Sequence, residues 1–405
     1  MILPDINSFI KKNIIDRDES LFTQDLKANE RILKAEIQDK KVLVIGGAGT
    51  IGSSFIRALL NYNPSSLVVV DTNENGLTEL TRKLRSDIKV QLPDDYLTYP
   101  MSFSSETFNK ILDKYNFDIV ANFAAHKHVR SEKDIISIEA MIDNNVFSAN
   151  TLLKKLSLNP PKHFFCVSTD KAANPVNIMG GSKKLMENLI MSYATDFKIT
   201  TARFANVAFS NGSLLDGYIN RLMQRQPISC PSDVKRFFVS PEESGHICLL
   251  ACVLGNSGDI FFPKLNENQL VNFKNITEDF FKFLGIKIEH CESENEAKRM
   301  SVINLETNNF DSYPVYFFKS DTSGEKLYEE FYEDQDIVNL TSFQELGVIT
   351  NSRKSKKEDV EKDIVKLKQV FQTKSADKSA VVASLSSIIE GFKHIETGKS
   401  LDQKM

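Results

Sequence analysis

A hydroxyl, a carboxylate and an amine stand side by side in Ser168-Thr169-Asp170-Lys171, directly after the apolar run His163-Phe-Phe-Cys-Val167. A second lysine, Lys183, follows within Met179-Gly-Gly-Ser-Lys183. Side chains of these types hold, accept and release protons, so the cluster points to proton transfers. Met179 lies four positions before Lys183 and cannot take part, because a thioether carries no proton at any accessible pH. Acid and base work therefore falls to Asp170 and Lys171, the nearest groups able to do it. An aspartate followed by a lysine is ordinarily a surface ion pair of little consequence. Here the pair ends an apolar strand, and in open α/β sheets ligands bind at the carboxyl ends of strands.

The partner chemistry is announced earlier in the chain. Gly46-Gly-Ala-Gly-Thr-Ile-Gly52 follows a strand and opens a helix from Thr50 to Leu60. Gly46, Gly49 and Gly52 let the backbone turn tightly and approach a pyrophosphate, while Thr50 and Ile51 bring the helix N-terminus and its amides to the anion. Val68-Val-Val-Asp71 ends the next strand with an acid 19 positions after Gly52, the place that meets the adenosine ribose hydroxyls. An acid there repels a 2'-phosphate, so NAD is favoured over NADP. A glycine-rich turn with no ligand is the plain alternative, and the surrounding strand, loop, helix, strand and acid weigh against it. Redox chemistry coupled to proton transfer follows. Lys183 is placed to hold the nicotinamide ribose hydroxyls, its ordinary alternative being a surface lysine beside Lys184.

Asn122-Phe-Ala-Ala-His-Lys-His128 ends the fourth strand on the same edge. Ala124 and Ala125 are small enough for a cofactor to lie close, and Lys127 can reach cofactor or substrate oxygens. A His-x-His pair invites a zinc reading, but a catalytic zinc needs three protein ligands and no third declares itself, so no metal is expected. Asn144 and Asn145 occupy a helix interior where asparagine is a poor former. Either they satisfy backbone groups of the neighbouring loop or they face solvent; Asn145 is counted among the cofactor-side candidates.

The elements that must position these groups alternate. Strands are expected at Val42–Ile45, Leu67–Asp71, Tyr96–Tyr99, Ile119–Phe123, His163–Ser168 and Thr200–Phe204, most followed by a helix, which is the pattern of a doubly wound parallel sheet. The fold class is thus α/β of the Rossmann type, with a smaller α/β substrate lobe and helical extensions at both ends. Four parts are expected: a helical extension over 1–40, with apolar positions Phe9, Ile14, Leu21, Leu26, Ile32 and Leu33; an NAD-binding domain over 41–206; a substrate lobe over 207–348; and a helical tail over 349–405. In the lobe, strand-like pieces lie at 236–239 and 259–262 and helices near 214–224, 241–255 and 272–284. The tail carries the charged run 353–362, beginning Arg353-Lys354, and helices at 360–371 and 379–392.

Composition narrows the class. The chain has 405 residues, is 41% apolar with 28 Phe and no Trp, and can bury a substantial core. Its 50 basic and 54 acidic residues are well mixed at a net charge of −4, which leaves no footprint for nucleic acid, so anionic ligands must be held locally. Five cysteines without a CxxC pair suit a reducing compartment, and cytoplasm is expected. The first residues lack the basic and apolar regions of a leader, and the longest apolar run, Ile247 to Leu254, is far below the ~20 residues of a membrane span.

Taken together, Ser168-Thr-Asp-Lys-Ala-Ala-Asn-Pro-Val-Asn-Ile-Met-Gly-Gly-Ser-Lys183 and Arg203-Phe-Ala-Asn-Val207 resemble the UDP-N-acetylglucosamine 4,6-dehydratases of the extended short-chain dehydrogenase/reductase superfamily, over about residues 41 to 265. The methionine version of the Tyr-x-x-x-Lys motif resembles those members that retain configuration at C5. The resemblance implies an internal redox cycle with NAD: hydride leaves C4 of the hexose, the ketone acidifies the C5 proton, the C6 hydroxyl departs as water and hydride returns to C6. It implies that Thr169 bonds the 4-hydroxyl, that Asp170 transfers a proton at O6 or O4, and that Lys171 takes the C5 proton in a state favoured by burial and neighbouring cations. Met179 and Lys183 complete the catalytic set. Lys127, His128, Arg203, Asn206, Ser213 and Arg236 are the substrate-side candidates, with Arg203 and Arg236 as cationic partners for the UDP diphosphate. The loop Phe209-Ser-Asn-Gly-Ser213 departs from the family, which often carries an arginine there. A homo-oligomer acting on UDP-N-acetylglucosamine is implied. A C5-inverting dehydratase and a UDP-sugar 4-epimerase are the neighbouring alternatives, and an inactive NAD-binding scaffold is the alternative of another class.

Overall fold

Five short apolar runs pair side by side because each is buried along nearly its whole length: β1 (Lys41–Ile45), β2 (Ser66–Asp71), β4 (Ile119–Asn122), β5 (His163–Val167) and β6 (Ile199–Ala202), with β3 (Asp95–Pro100) half-buried at the edge. Successive strand residues point to opposite faces, so unbroken burial means that the sheet is covered on both. The computed structural model describes residues 5–309, 311–320, 329–350, 352, 355–373 and 376–396. The sheet order is β3-β2-β1-β4-β5-β6, continued by a parallel strand, Ile260–Pro263, and two antiparallel ones, Leu346–Ile349 and Val338–Asn339. Strand order reverses at β1, which pairs with β2 on one side and β4 on the other, and this is the switch point where such sheets open a crevice.

All six expected strands of the first part form, with ends moved by a residue or so. In the lobe, the helices Leu214–Gln224, Pro241–Leu254 and Phe273–Leu284 match expectation. The piece expected over 236–239 splits into Lys235–Arg236, paired with Val271–Asn272, and Phe238–Val239, paired with Asn206–Val207. A three-stranded parallel sheet of Ile228–Pro231, Lys287–Cys291 and Ser312–Phe318 was not legible, nor were the helix Glu294–Glu306 and the strand Leu346–Ile349. Lys287-Ile-Glu-His-Cys mixes charge into a strand that is only partly buried, so the apolar signal is weak.

The N-terminal segment packs on its own chain. Phe9, Ile10 and Ile14 join a second core with Leu215, Tyr218, Phe280 and Val315, whereas Phe22, Leu33 and Ile37 join the main core. Between these anchors Arg17 forms a forked pair with the fully buried Glu243 carboxylate, 2.6 and 2.8 Å, and Leu21 N–H donates to the same carboxylate. In the tail, Lys357–Gln372 and Lys378–Ile388 are helical. Leu385 and Phe392 lie against Gly181, and Phe371 stacks edge-on against Phe147. Arg353 and Lys354 lie outside the described residues.

Candidate active site

The glycine loop has the geometry that its sequence promised. Gly46 sits at φ +75°, and a Cβ there would come within 2.5 Å of Ala124 N, so the loops after β1 and β4 touch through a glycine. The helix Thr50–Leu60 begins at Gly49 with no side chain capping it. Asp71 ends β2 and accepts from Ala48 N–H at 3.0 Å and Asn73 N–H at 2.9 Å, which fixes an acid beside the loop. The Asn122 side chain accepts from Ala124 N–H and so shapes the turn that carries Ala124 and Ala125.

Asn145 resolves one of the open alternatives. It is buried, accepts from His126 N–H at 2.9 Å, and donates to His126 C=O at 3.0 Å and Ser182 Oγ at 3.1 Å. Its amide ties the loop after β4 to the helix Ile178–Ser192, so it braces the cofactor side rather than presenting a free group to it. Beyond the brace, Lys127 is reached by solvent yet walled by protein, and this desolvation lowers its pKa against the pull of Asp216. Burial likewise lowers His128, with Lys127, Arg130 and His126 adding to the effect. The loop 209–213 lies against the glycine-loop helix and His128: Asn211 N–H donates to Thr50 Oγ1 at 2.9 Å, and a Cβ on Gly212 would lie 3.1 Å from His128 Nε2. Ser213 spends its hydroxyl capping Leu214–Gln224, accepting from Asp216 N–H.

After β5 the chain makes a single 3-10 turn, Asp170–Ala172, capped by Thr169. Thr169 Oγ1 donates to Asp170 Oδ1 at 2.7 Å, and Lys171 Nζ bonds both Asp170 oxygens at 3.1 and 3.2 Å. Asp170 is 4% exposed, while the Lys171 side chain is about a third exposed, so the pair joins a buried carboxylate to a partly solvated ammonium. The group nearest the Lys171 ammonium is thus a carboxylate, where the resemblance had implied neighbouring cations. Lys183 is also buried and donates to Val167 C=O at 2.7 Å; burial lowers its pKa, with Cys166 and Glu187 opposing. Met179 is 2% exposed and its N–H donates to Glu132. Gly180 lets this helix close on the turn, since a Cβ there would meet Lys171 C=O at 2.5 Å.

Arg203 is a correction. It is 1% exposed, its guanidinium forks onto Glu187 at 3.0 and 2.8 Å, and its third arm donates to Phe331 C=O. Every donor direction is turned inward, so it holds the core beneath β5 and does not meet a diphosphate. Burial alone would raise Glu187, but the Arg203 charge and hydrogen bonds prevail and hold it below its usual value. Arg236 is 8% exposed and donates to Lys235 C=O at 2.8 Å.

Sequence reasoning missed Glu329. This carboxyl is 8% exposed, accepts from Asn206 Nδ2 and from Phe237 N–H at 2.8 Å, and lies within electrostatic reach of Asp170, Lys171 and Arg236. Burial raises it to about 7; Asp170 pushes the same way, while Lys171, the Phe237 amide and Arg236 pull back. It stands 158 positions after Lys171 in a charged stretch whose charges look solvated, so no local signal marks it. Among the described residues no cluster of three or more His, Cys, Asp or Glu is placed to hold a metal, and no helix is long and apolar enough to cross a membrane.

A glycine loop at a switch point and an ionisable turn one strand further on are shared by many enzymes, and likeness to known proteins narrows them. The polysaccharide biosynthesis protein family model matches residues 42–351. The chain belongs to this family. An uncharacterized membrane protein of Methanocaldococcus jannaschii is 30% identical over 77% of this chain and 86% of its own length. The capsular polysaccharide biosynthesis protein CapD of Staphylococcus aureus is 23% identical over 80% of this chain, which spans half the length of CapD. A UDP-glucose 4-epimerase of Rickettsia bellii is 27% identical over 76% of this chain and 95% of its own. Among solved structures, Pen from Bacillus thuringiensis aligns at TM-score 0.63 and 20% identity, covering 79% of this chain and 90% of Pen. DesIV, a dTDP-glucose 4,6-dehydratase from Streptomyces venezuelae solved with NAD, aligns at 0.55 and 17%, covering 72% and 88%. The solved structures share this chain's fold, a mostly parallel central sheet flanked by helices, and the family model places the chain among polysaccharide biosynthesis proteins.

Proposed function

We propose that this chain catalyses the NAD-dependent 4,6-dehydration of UDP-N-acetylglucosamine with the C5 configuration retained, an early step in making deoxy-amino sugars for surface glycans. The observation that carries the reading is the Asp170–Lys171 pair, held at the end of β5 with Thr169, while the position four before Lys183 holds a thioether, Met179. Eliminating water between C5 and C6 needs a base at C5 and an acid at O6, within hydrogen-bond reach of the sugar. Lys171 takes the C5 proton, Asp170 delivers a proton to the departing O6 or holds the one at O4, and Thr169 bonds the 4-hydroxyl.

The residues fit the cofactor: the Gly46–Gly52 loop and the helix from Thr50 suit a pyrophosphate, Asp71 suits ribose hydroxyls, and Lys183 suits the nicotinamide ribose. When bound, NAD supplies a reversible hydride acceptor. Lys127 and Arg236 hold the diphosphate in the absence of Arg203, with His128, Asn206 and Ser213 lining the sugar side. The cofactor occupies the part over 41–206 and the nucleotide sugar the part over 207–348. A homo-oligomer is the form expected from the resemblance, and cytoplasm the compartment that the cysteine usage suits.

The test is incubation of the purified chain with UDP-N-acetylglucosamine in deuterated water, followed by proton NMR. A 4-keto-6-deoxy sugar deuterated at C5, with couplings of the retained configuration, is expected. Conversion to the 4-epimer without loss of water would replace this reading with the second one, which the UDP-glucose 4-epimerase likeness favours. Met179 opposes the epimerase, whose C4 oxidation wants a proton-carrying hydroxyl beside Lys183.

A further inference from the structure

The helix Ile178–Ser192 carries Met179 and Lys183, and the turn Asp170–Ala172 reaches it through a short linker, residues 173–177. The linker sets how turn and helix stand to each other, yet it is not a regular element. Asn174 has φ +43°, in the left-handed region, and Pro175 has no N–H to donate. Asn177 caps the helix, accepting from Gly180 N–H at 2.7 Å. Pro175 is buried and Val176 half-buried, so their carbonyls need donors from elsewhere.

The donors come from the tail. Lys393 N–H donates to Pro175 C=O at 3.4 Å and Ile395 N–H to Val176 C=O at 2.9 Å, so residues 393–395 run alongside the linker. Phe392 and Leu385 lie on the helix at Gly181, where a Cβ would stand 3.1 and 3.3 Å from them. His394 Nε2 stands 3.6 Å from Glu132 Oε2, with both side chains almost wholly covered, and Glu132 Oε1 accepts from Met179 N–H at 2.9 Å. Glu132 ends the 3-10 turn Val129–Glu132, which follows Lys127 and His128. His394 thus meets the carboxylate that joins the loop after β4 to the start of the helix. The tail also has a footing of its own: Lys357 pairs with Asp196 at 3.0 Å and lies over the Tyr193 ring, and Glu361 pairs with Lys154 at 3.0 Å. The family match ends at residue 351, so the tail lies beyond it.

We propose that residues 389–396 are a clasp that sets the catalytic geometry, with Ile395 and His394 as positioning residues. Ile395 acts through the Val176 carbonyl on the linker, and His394 acts through Glu132 on Met179 and the helix start. Neither touches a reacting atom. A misplacement of about 1 Å at reacting groups costs about 10²-fold in rate, so a few contacts on a short linker are enough to govern it. What the geometry serves rests on the dehydratase reading, whereas the clasp itself belongs to the unliganded chain.

The experiment compares full-length Ile395→Pro, Ile395→Ala and His394→Ala with wild type. Ile395 is 47% exposed, so alanine removes little packing, whereas proline removes the N–H that Val176 accepts. On UDP-N-acetylglucosamine, Ile395→Pro should lose about 10-fold in kcat while KM and NAD affinity stay within about 2-fold, and Ile395→Ala should keep the wild-type kcat. His394→Ala leaves the tail backbone untouched and should lose about 3-fold or more with the same split, which decides the question if the proline variant does not fold. The second readout needs no substrate. Hydrogen exchange read by mass spectrometry should quicken over residues 171–183 in Ile395→Pro and match wild type in Ile395→Ala. A kcat within about 2-fold of wild type in the folded Ile395→Pro and His394→Ala variants, an equal loss in Ile395→Ala and Ile395→Pro, or a fall in NAD affinity alongside kcat overturns the proposal. If wild type forms no keto sugar while exchange over 171–183 still quickens in Ile395→Pro, the dehydratase reading falls and the clasp stands as the device that orders turn and helix.

Discussion

Asp170 is held by three bonds from its immediate neighbours and buried to 4% exposure, so its charge is fixed in place and compensated there. Replacing it with asparagine keeps the shape and removes the proton-carrying group. Asp170→Asn should lower kcat by roughly 10²- to 10⁴-fold with little change in NAD affinity, as read by NMR product formation and by titration of cofactor fluorescence. Arg203 makes the opposite case, a charged residue whose work is structural. Arg203→Met leaves Glu187 ionised and buried without its partner, at a cost of about 3–5 kcal/mol. The pH sign follows from Glu187: its folded value is depressed, so its contribution is present above 4.5 and fades as pH falls through the acid range. In Arg203→Met that dependence should invert, with stability improving on acidification. Chemical unfolding at two pH values checks it.

At the scale of elements, the site depends on how closely the helix Ile178–Ser192 approaches the turn after β5. Gly180 sets that approach, since a Cβ would stand 2.5 Å from the Lys171 carbonyl, nearer than side chains tolerate. Gly180→Ala improves intrinsic helix propensity by about 1 kcal/mol, yet the contact requires either the turn or the helix to move. The expected result is a fall in kcat, with Lys171 displaced from Asp170, accompanied by a lower Tm. A variant that gains stability and keeps its kcat would show that the turn relaxes freely. The same helix is backed at Gly181 by Leu385 and Phe392 of the tail, so residues from the far end of the sequence pack against it.

Among the described residues the apolar side chains form two cores, and the N-terminal segment is one of the stretches that join them. Phe9 and Ile14 belong to the smaller core and Phe22, Leu33 and Ile37 to the larger, and Arg17 pins the stretch between them to Glu243. Glu243 is fully buried and also closes a capping box with Ser240 at the start of Pro241–Leu254. Arg17→Met should therefore cost about 3–5 kcal/mol by stranding a buried carboxylate. It should also loosen the coupling of the cores. Calorimetry is expected to show one unfolding transition in wild type and a broadened or double transition in the variant, with the smaller core melting first. A single sharp transition at a lower temperature would mean that the remaining lobe contacts suffice for coupling.

What the sequence determined by itself is whatever rests on neighbours along the chain. Apolar runs named β1 to β6, the glycine loop with its acid at Asp71, and the Thr169-Asp170-Lys171 turn were all legible, because strand burial, tight turns and adjacent side chains are local matters. The small sheet of the lobe was not, since its strands are short and in part exposed, and one of them, Ile228–Pro231, pairs across more than eighty residues. Arg203 and Glu329 mark the same boundary in chemistry. One looked like a ligand for phosphate and is bound inward by Glu187; the other drew no reading from the sequence and is buried on Asn206 and Phe237. Whether a charge faces solvent, a partner or a reaction depends on which distant backbone folds over it, and that was decided only when the lobe closed on the strand ends.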